Sequence, residues 1–207
     1  MERVARHALK LAKLVPPGKC GGGKSKVAGR ARRGRMGGPM KIQRSNSAEW
    51  TAAAGAVATG LLLFAAFPPL EWTWAAWVAL VPLWVVARQV PSRTALKMGF
   101  VAGLLFWLLG IRWLTNVTVL GWLAVCAYCA IYFLPAVFFA NRWRGGVLGF
   151  AAGLAAIWSG SEFLRGWVFG GFPWNALGTA LTPWLPAVQL AEFGGVWLVT
   201  GLAAFAN

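Results

Sequence analysis

Residues 145–178 read GGVLGFAAGLAAIWSGSEFLRGWVFGGFPWNALG. The part from Gly145 to Arg165 carries no charge until Glu162. At a rise of about 1.5 Å per residue it is long enough for a helix to cross a hydrocarbon core of roughly 30 Å. Its apolar residues run continuously and do not alternate, which points to a helix and away from a barrel strand. An acid and a base, Glu162 and Arg165, close the run three residues apart, and an aromatic turn, Gly170-Gly171-Phe172-Pro173-Trp174, follows at once. Ionisable groups at such a boundary are costly, so they are kept for a partner or a substrate.

Outward from this stretch the same pattern repeats. The 207 residues are 58% hydrophobic and 12% charged, with a mean hydropathy of +0.61. The expected fold class is all-α: a polytopic transmembrane helical bundle behind a disordered basic N-terminal tail. Spans are expected near Ala48–Phe67, ending at Pro68-Pro69, and near Trp72–Ala87, which is short and carries Pro82. Three more are expected at Thr94–Thr115, Val119–Ala140 and Gly145–Arg165. A sixth, Ala187–Asn207, reaches the end of the sequence with no basic flank, an ending that reads as a truncation. Gly99-x-x-x-Gly103 and Gly145-x-x-x-Gly149-x-x-x-Gly153 put small residues on one helical face, where backbones can approach closely.

Charge placement sets the expected orientation. Of 20 Lys and Arg, 13 lie in residues 1–45, with Glu2 the one acid among them. With the N-terminus in the cytoplasm, Arg88, Arg93, Lys97, Arg142 and Arg144 also fall inside, and the exceptions are Arg112 and Arg165. The net charge of +15 therefore describes mainly a tail suited to an anionic lipid surface; no zinc-finger, RNP or helix-turn-helix pattern supports specific nucleic acid. Residues 1–45 form one expected segment and 46–207 the transmembrane domain. The tail is either a real cytoplasmic arm or upstream of a true start at Met40; the internal pattern favours Met40.

Chemistry-bearing residues are few. Cys126 and Cys129 make a C-x-x-C inside an apolar helix, where packing is the favoured reading, and the sole histidine, His7, lies in the tail. No nucleophile with an adjacent base and no metal set is visible, and no cofactor is implied. Glu162 and Arg165 share a helix face. They are read either as an internal ion pair locking the fifth span or as a lipid headgroup site, with Arg165 on a phosphate and Glu162 orienting it. Arg112 has no acid within one helical turn; it snorkels to the interface, pairs with Glu162 or Glu71, or faces a phosphate, with snorkelling favoured. Phe172 and Trp174 belong to an interfacial turn or line an entrance for acyl chains. Glu192 is placed to suit the N-terminal dipole of the last helix. Most of the 14 tryptophans stand near span ends, as interface anchors do.

The string Ser161-Glu162-Phe163-Leu164-Arg165-Gly166-Trp167, then Gly171-Phe172-Pro173-Trp174 and Leu177-Gly178, resembles the bacterial apolipoprotein N-acyltransferases. Phe67-Pro68-Pro69, Gly99-Phe100, Gly110-Ile111-Arg112-Trp113, Gly194-Gly195-Val196-Trp197 and Asn207 follow the same family's order, so the resemblance covers roughly residues 50–207. It implies a multi-pass protein of the bacterial inner membrane that moves an acyl chain from a phospholipid donor to the amino group of a diacylglyceryl-cysteine on a lipoprotein acceptor. It also implies a ping-pong mechanism through a thioester, run by a Glu-Lys-Cys triad in an extracytoplasmic nitrilase-like domain. No residue here matches that triad, so no catalytic residue is assigned and the chain alone is expected to be inactive. Glu162, Arg165, Phe172, Trp174 and Arg112 are the expected lipid-binding residues. The alternative is a non-enzymatic membrane scaffold or lipid-binding subunit for a separate catalytic domain.

Overall fold

The structure, a computed structural model, describes residues 46–207. The basic segment 1–45, with its expected disorder and the Met40 start, lies outside the described residues. The described residues are helical, with no strand among them. The chain begins with α1 (Asn46–Ala65), and the cis peptide Pro68-Pro69 marks the corner beyond it. A 3-10 turn (Thr73–Trp77) then leads into the short α2 (Val81–Ala87). Next come α3 (Ser92–Gly110), a 3-10 turn (Arg112–Asn116), α4 (Val119–Ile131), α5 (Leu134–Arg142) and α6 (Val147–Arg165). After the aromatic turn and a 3-10 turn (Leu177–Leu181) the chain forms α7 (Leu185–Val188) and α8 (Ala191–Ala206).

Among the described residues, four helical stretches are long and apolar enough to cross a membrane: Ser47–Ala65, Ser92–Gly110, Val119–Arg142 and Val147–Arg165. The third contains α4 and α5 in sequence. Thr73–Ala87 and Ala191–Ala206 are shorter apolar stretches. Pro82 and Pro135 sit in the first turn of α2 and α5, where a missing amide hydrogen leaves no helical bond unmade. In α8 the backbone leaves helical values at Gly194 and Gly195.

Helix α1 packs along α3, α3 along α4 and α5, and α6 along α8. The Gly99–Gly103 face lies at the contact of α3 with α5 and its approach, and the Gly149–Gly153 face meets Trp143 and Phe139 where α6 packs on α5. A Cβ on Gly99 would meet the Val137 side chain at 2.7 Å, and one on Gly103 would meet the Phe133 ring at 2.8 Å. Such close approach is how membrane helices gain dispersion contacts where water supplies no hydrophobic drive.

Polar side chains close the gaps left by the broken second segment. Thr59 is fully buried and its hydroxyl accepts from the Leu83 amide at 3.1 Å. The Asn207 side chain accepts from the Leu80 amide and donates to the Ala76 carbonyl, both at 2.8 Å. It thereby satisfies two groups that the interruption between the turn and α2 had released. At the other end, Asn141 donates to the carbonyls of Ala87 at 2.6 Å and Val90 at 2.9 Å, and accepts from the Ser92 hydroxyl. The bundle thus has an Asn141 end, and a Glu162 end where α1, α3 and α6 finish.

Candidate functional site

Along α6 the buried residues are Leu154, Trp158, Ser161, Glu162 and Arg165, a single inward face at helical spacing. That face carries the only polar groups buried at the Glu162 end of α6. The helix stops at Gly166, and the backbone then runs through left-handed values at Phe169 (φ 54), Gly170 (φ 87) and Gly171 (φ 81). A Cβ on Gly171 would collide with the Gly166 carbonyl, so the reversal requires glycine there. It brings the Phe172 amide back to donate to the Arg165 carbonyl at 2.8 Å.

Arg165, 2% exposed, then holds the turn from beneath. Its Nη1 donates to the carbonyls of Phe172 and Trp174, which flank Pro173, the second at 2.8 Å. Its guanidinium lies 4.7 Å from the centre of the Trp107 ring, a cation–aromatic contact in a dry setting. Glu162, 6% exposed, is held by a separate set of groups. Its Oε1 accepts from Trp158 Nε1 and the Leu177 amide, and its Oε2 accepts from the Thr200 hydroxyl, each at 2.9 Å. The Thr200 hydroxyl in turn accepts from the Gly178 amide at 2.9 Å. The acid ties α6 to the Leu177–Leu181 turn and to α8, while the base ties α6 to the aromatic turn; the two do not bond to each other.

Between them lies a cavity of about 20 Å³, bordered by Cys129, Tyr132, Ser161, Glu162, Arg165 and Asn175. That is space for something the size of one water, not for a phosphate headgroup. Larger grooves open on both sides of the aromatic turn. One, about 300 Å³, is bounded by Ala124, Val125 and Tyr128 of α4 and by Val168, Phe169 and Phe172. The other, about 510 Å³, runs between Phe67-Pro68 and Pro173, Trp174 and Asn175. Phe172 is half-buried with its ring 5.9 Å from that of Trp107, whereas Trp174 is 55% exposed and packs edge-on to Trp113 at 5.7 Å.

Of the five residues expected from sequence, Glu162, Arg165, Phe172 and Trp174 therefore meet in one network. Arg112 stands at its edge, exposed in the 3-10 turn after α3, next to the Trp113 that touches Trp174. It pairs with neither Glu162 nor Glu71; among the described residues its guanidinium has no hydrogen-bond or ion-pair partner. Glu192 lies exposed in the first turn of α8. Cys126 and Cys129 are free and buried in the core. Sequence reasoning missed Trp107, Trp158 and Thr200. Trp158 stands four residues before Glu162, a spacing that does signal a shared face; Trp107 and Thr200 lie too far along the chain for any local signal. The tryptophans Trp72, Trp74, Trp113, Trp167, Trp174 and Trp184 are exposed on segments at the Glu162 end.

An all-helical bundle with four membrane-length helices, and a buried acid and base beneath an aromatic turn at one end, defines a polytopic membrane domain. The profile of the apolipoprotein N-acyltransferase N-terminal domain matches residues 59–207. The chain belongs to the apolipoprotein N-acyltransferase family. Its similarity to the apolipoprotein N-acyltransferase of Geobacter metallireducens is 30% identity over 165 residues, covering 73% of this chain and 31% of the relative. That of Gloeobacter violaceus is 32% identical over 181 residues (80% of this chain, 34% of the relative). That of Haemophilus influenzae is 34% identical over 164 residues (72% and 30%). The chain thus spans about a third of the length of the curated relatives it matches.

Proposed function

We propose that this chain is the membrane domain of an apolipoprotein N-acyltransferase of the bacterial inner membrane, with its N-terminus in the cytoplasm and its Glu162 end on the extracytoplasmic side. Its work there is to hold the catalytic part of the enzyme over the bilayer and to admit the phospholipid donor and the diacylglyceryl lipoprotein. The acyl-transfer chemistry belongs to regions outside the matched third, and the 207-residue chain alone transfers no acyl group.

The observation that carries this reading is the clamp under the aromatic turn. Arg165 fixes the carbonyls on either side of Pro173, so Phe172 and Trp174 are held as walls between grooves of about 300 and 510 Å³. Aromatic walls beside an apolar groove suit acyl chains, and the smaller groove is of that kind, while Asn175, Thr179 and Thr182 add polar groups to the larger. Arg112, exposed and unpaired beside them, is the cation placed for the donor's phosphate. Arg165 serves the lipid through the aromatic turn it positions, from a place too enclosed for a headgroup, and Glu162 braces the adjoining Leu177–Leu181 turn and α8. The family's own substrates, as its name gives them, agree with a lipid-facing site at this end.

The test uses a full-length relative carrying changes at the matching positions. Arg165→Ala is expected to lower acyl-enzyme formation by on the order of 10- to 100-fold, because a displaced wall misplaces the donor. Arg112→Gln should raise the donor KM and leave the amount of membrane-inserted protein unchanged. Wild-type acyl-enzyme formation by both variants, at wild-type protein levels, refutes the assignment.

A further inference from the structure

The Asn141 end of the bundle holds a second feature that the acyl-transfer reading does not use. Five cations, Arg88, Arg93, Lys97, Arg142 and Arg144, are exposed there. They come from two chain regions about fifty residues apart in sequence, and Asn141 fastens those regions together through Ala87, Val90 and Ser92. Arg144 is partly committed, donating to the carbonyls of Asn141 and Trp143 at 3.1 Å. Among the described residues none of the five has a carboxylate partner, and Glu49 in the first turn of α1 has no partner either.

Two of these cations lie over aromatic rings. The Arg88 guanidinium lies 5.0 Å from the centre of the Phe150 ring. Phe150 stacks on Phe139 at 6.1 Å, and Phe139 packs against Trp143 at 5.1 Å. The Arg142 guanidinium lies 5.7 Å from the Phe138 ring. Immediately beside them, a groove of about 390 Å³ is lined by Pro135, Phe138, Phe139, Trp143 and Ile157, with Arg142 as its charged member. An apolar groove with an arginine in its lining is the shape of one phospholipid: chain in the groove, phosphate at the Arg142 guanidinium.

We propose that the Phe138–Phe139–Trp143–Ile157 groove with Arg142 in its lining, and Arg88 beyond the Phe139–Phe150 stack, binds an anionic phospholipid at the opposite end of the bundle from the Glu162 site. Charge complementarity selects the occupant. A zwitterionic lipid brings its own cation to a surface already rich in them, whereas phosphatidylglycerol brings a net negative charge that Arg142 meets directly and the neighbouring exposed cations attract. The contact with Phe138 holds Arg142 at the groove, which lowers the entropy lost when it engages a phosphate, and Arg88 stands over Phe150, the ring stacked on the groove-lining Phe139. The inference is independent of the acyl-transfer reading and stands if that reading fails.

The test is native mass spectrometry of the purified 207-residue chain in detergent, titrated with phosphatidylglycerol or phosphatidylcholine. It is run at raised salt, which screens diffuse attraction to the basic N-terminal region. The wild type should retain phosphatidylglycerol over phosphatidylcholine. An Arg88→Gln/Arg142→Gln double variant should lose affinity for phosphatidylglycerol by on the order of 20-fold, at about fivefold per removed charge. Both side chains are exposed, so helicity by circular dichroism should be unchanged. Ile157→Trp, which fills the groove and keeps the charges, should also weaken phosphatidylglycerol retention. Equal retention of the two lipids by the wild type, or wild-type affinity in the double variant, would each overturn the proposal.

Discussion

Replacing Glu162 separates the parts of the network that an acceptor sustains from those that need a charge. Three donors converge on its carboxylate: Trp158 Nε1, the Leu177 amide and the Thr200 hydroxyl. Glu162→Ala removes all three acceptors. Hydrogen bonds between membrane segments are worth about 0.6 kcal/mol on average and about 1.7 at most, so the loss should be about 2–5 kcal/mol. Glu162→Gln keeps an oxygen where Trp158 and Leu177 converge. Its amide nitrogen can donate to the Thr200 oxygen if that hydroxyl turns, so this variant should lose only about 1 kcal/mol. The assay is reversible unfolding in mixed micelles, titrated with dodecyl sulfate and followed by tryptophan fluorescence. Both variants should unfold earlier, with Ala well ahead of Gln. If the two lie within about 0.5 kcal/mol of each other, the buried acceptor is not what joins α6 to the Leu177–Leu181 turn and α8.

Asn207→Leu keeps the size of the side chain but leaves the Leu80 amide and the Ala76 carbonyl without their partner. It should destabilise the bundle by about 1–3 kcal/mol and speed hydrogen exchange at Leu80, measured by mass spectrometry. Gly178→Ala would set a Cβ 2.7 Å from the Val196 carbonyl and 2.8 Å from the Thr200 amide. Neither backbone atom can step aside, so α8 should be forced from the turn at a cost of about 1–3 kcal/mol, read as earlier unfolding in the same titration.

Some of this was legible from single stretches of sequence. The helix over Val147–Arg165 follows from its continuous apolar run, and Glu162 and Arg165 share a face because three residues nearly complete a turn. The tight approaches at Gly99 and Gly103 were likewise foreshadowed by their spacing. The region around Pro82 was harder to read: its apolar composition suggests a span, while the backbone divides it into a 3-10 turn and the short α2, stitched by Thr59 and Asn207. No window centred on Pro82 contains either of those partners.

The sequence by itself determined that this is a helical membrane bundle of the apolipoprotein N-acyltransferase family, because span length, apolar continuity and the Glu162–Trp174 motif are local properties of the chain. Only the tertiary structure decided what the acid and base do. Their spacing allowed an ion pair or a headgroup site, yet Arg165 turns to the carbonyls of Phe172 and Trp174, and Glu162 to Trp158, Leu177 and Thr200. A buried charge takes the partners that packing brings within reach, and here the fold supplies unbonded backbone and hydroxyl groups from segments up to 38 residues away.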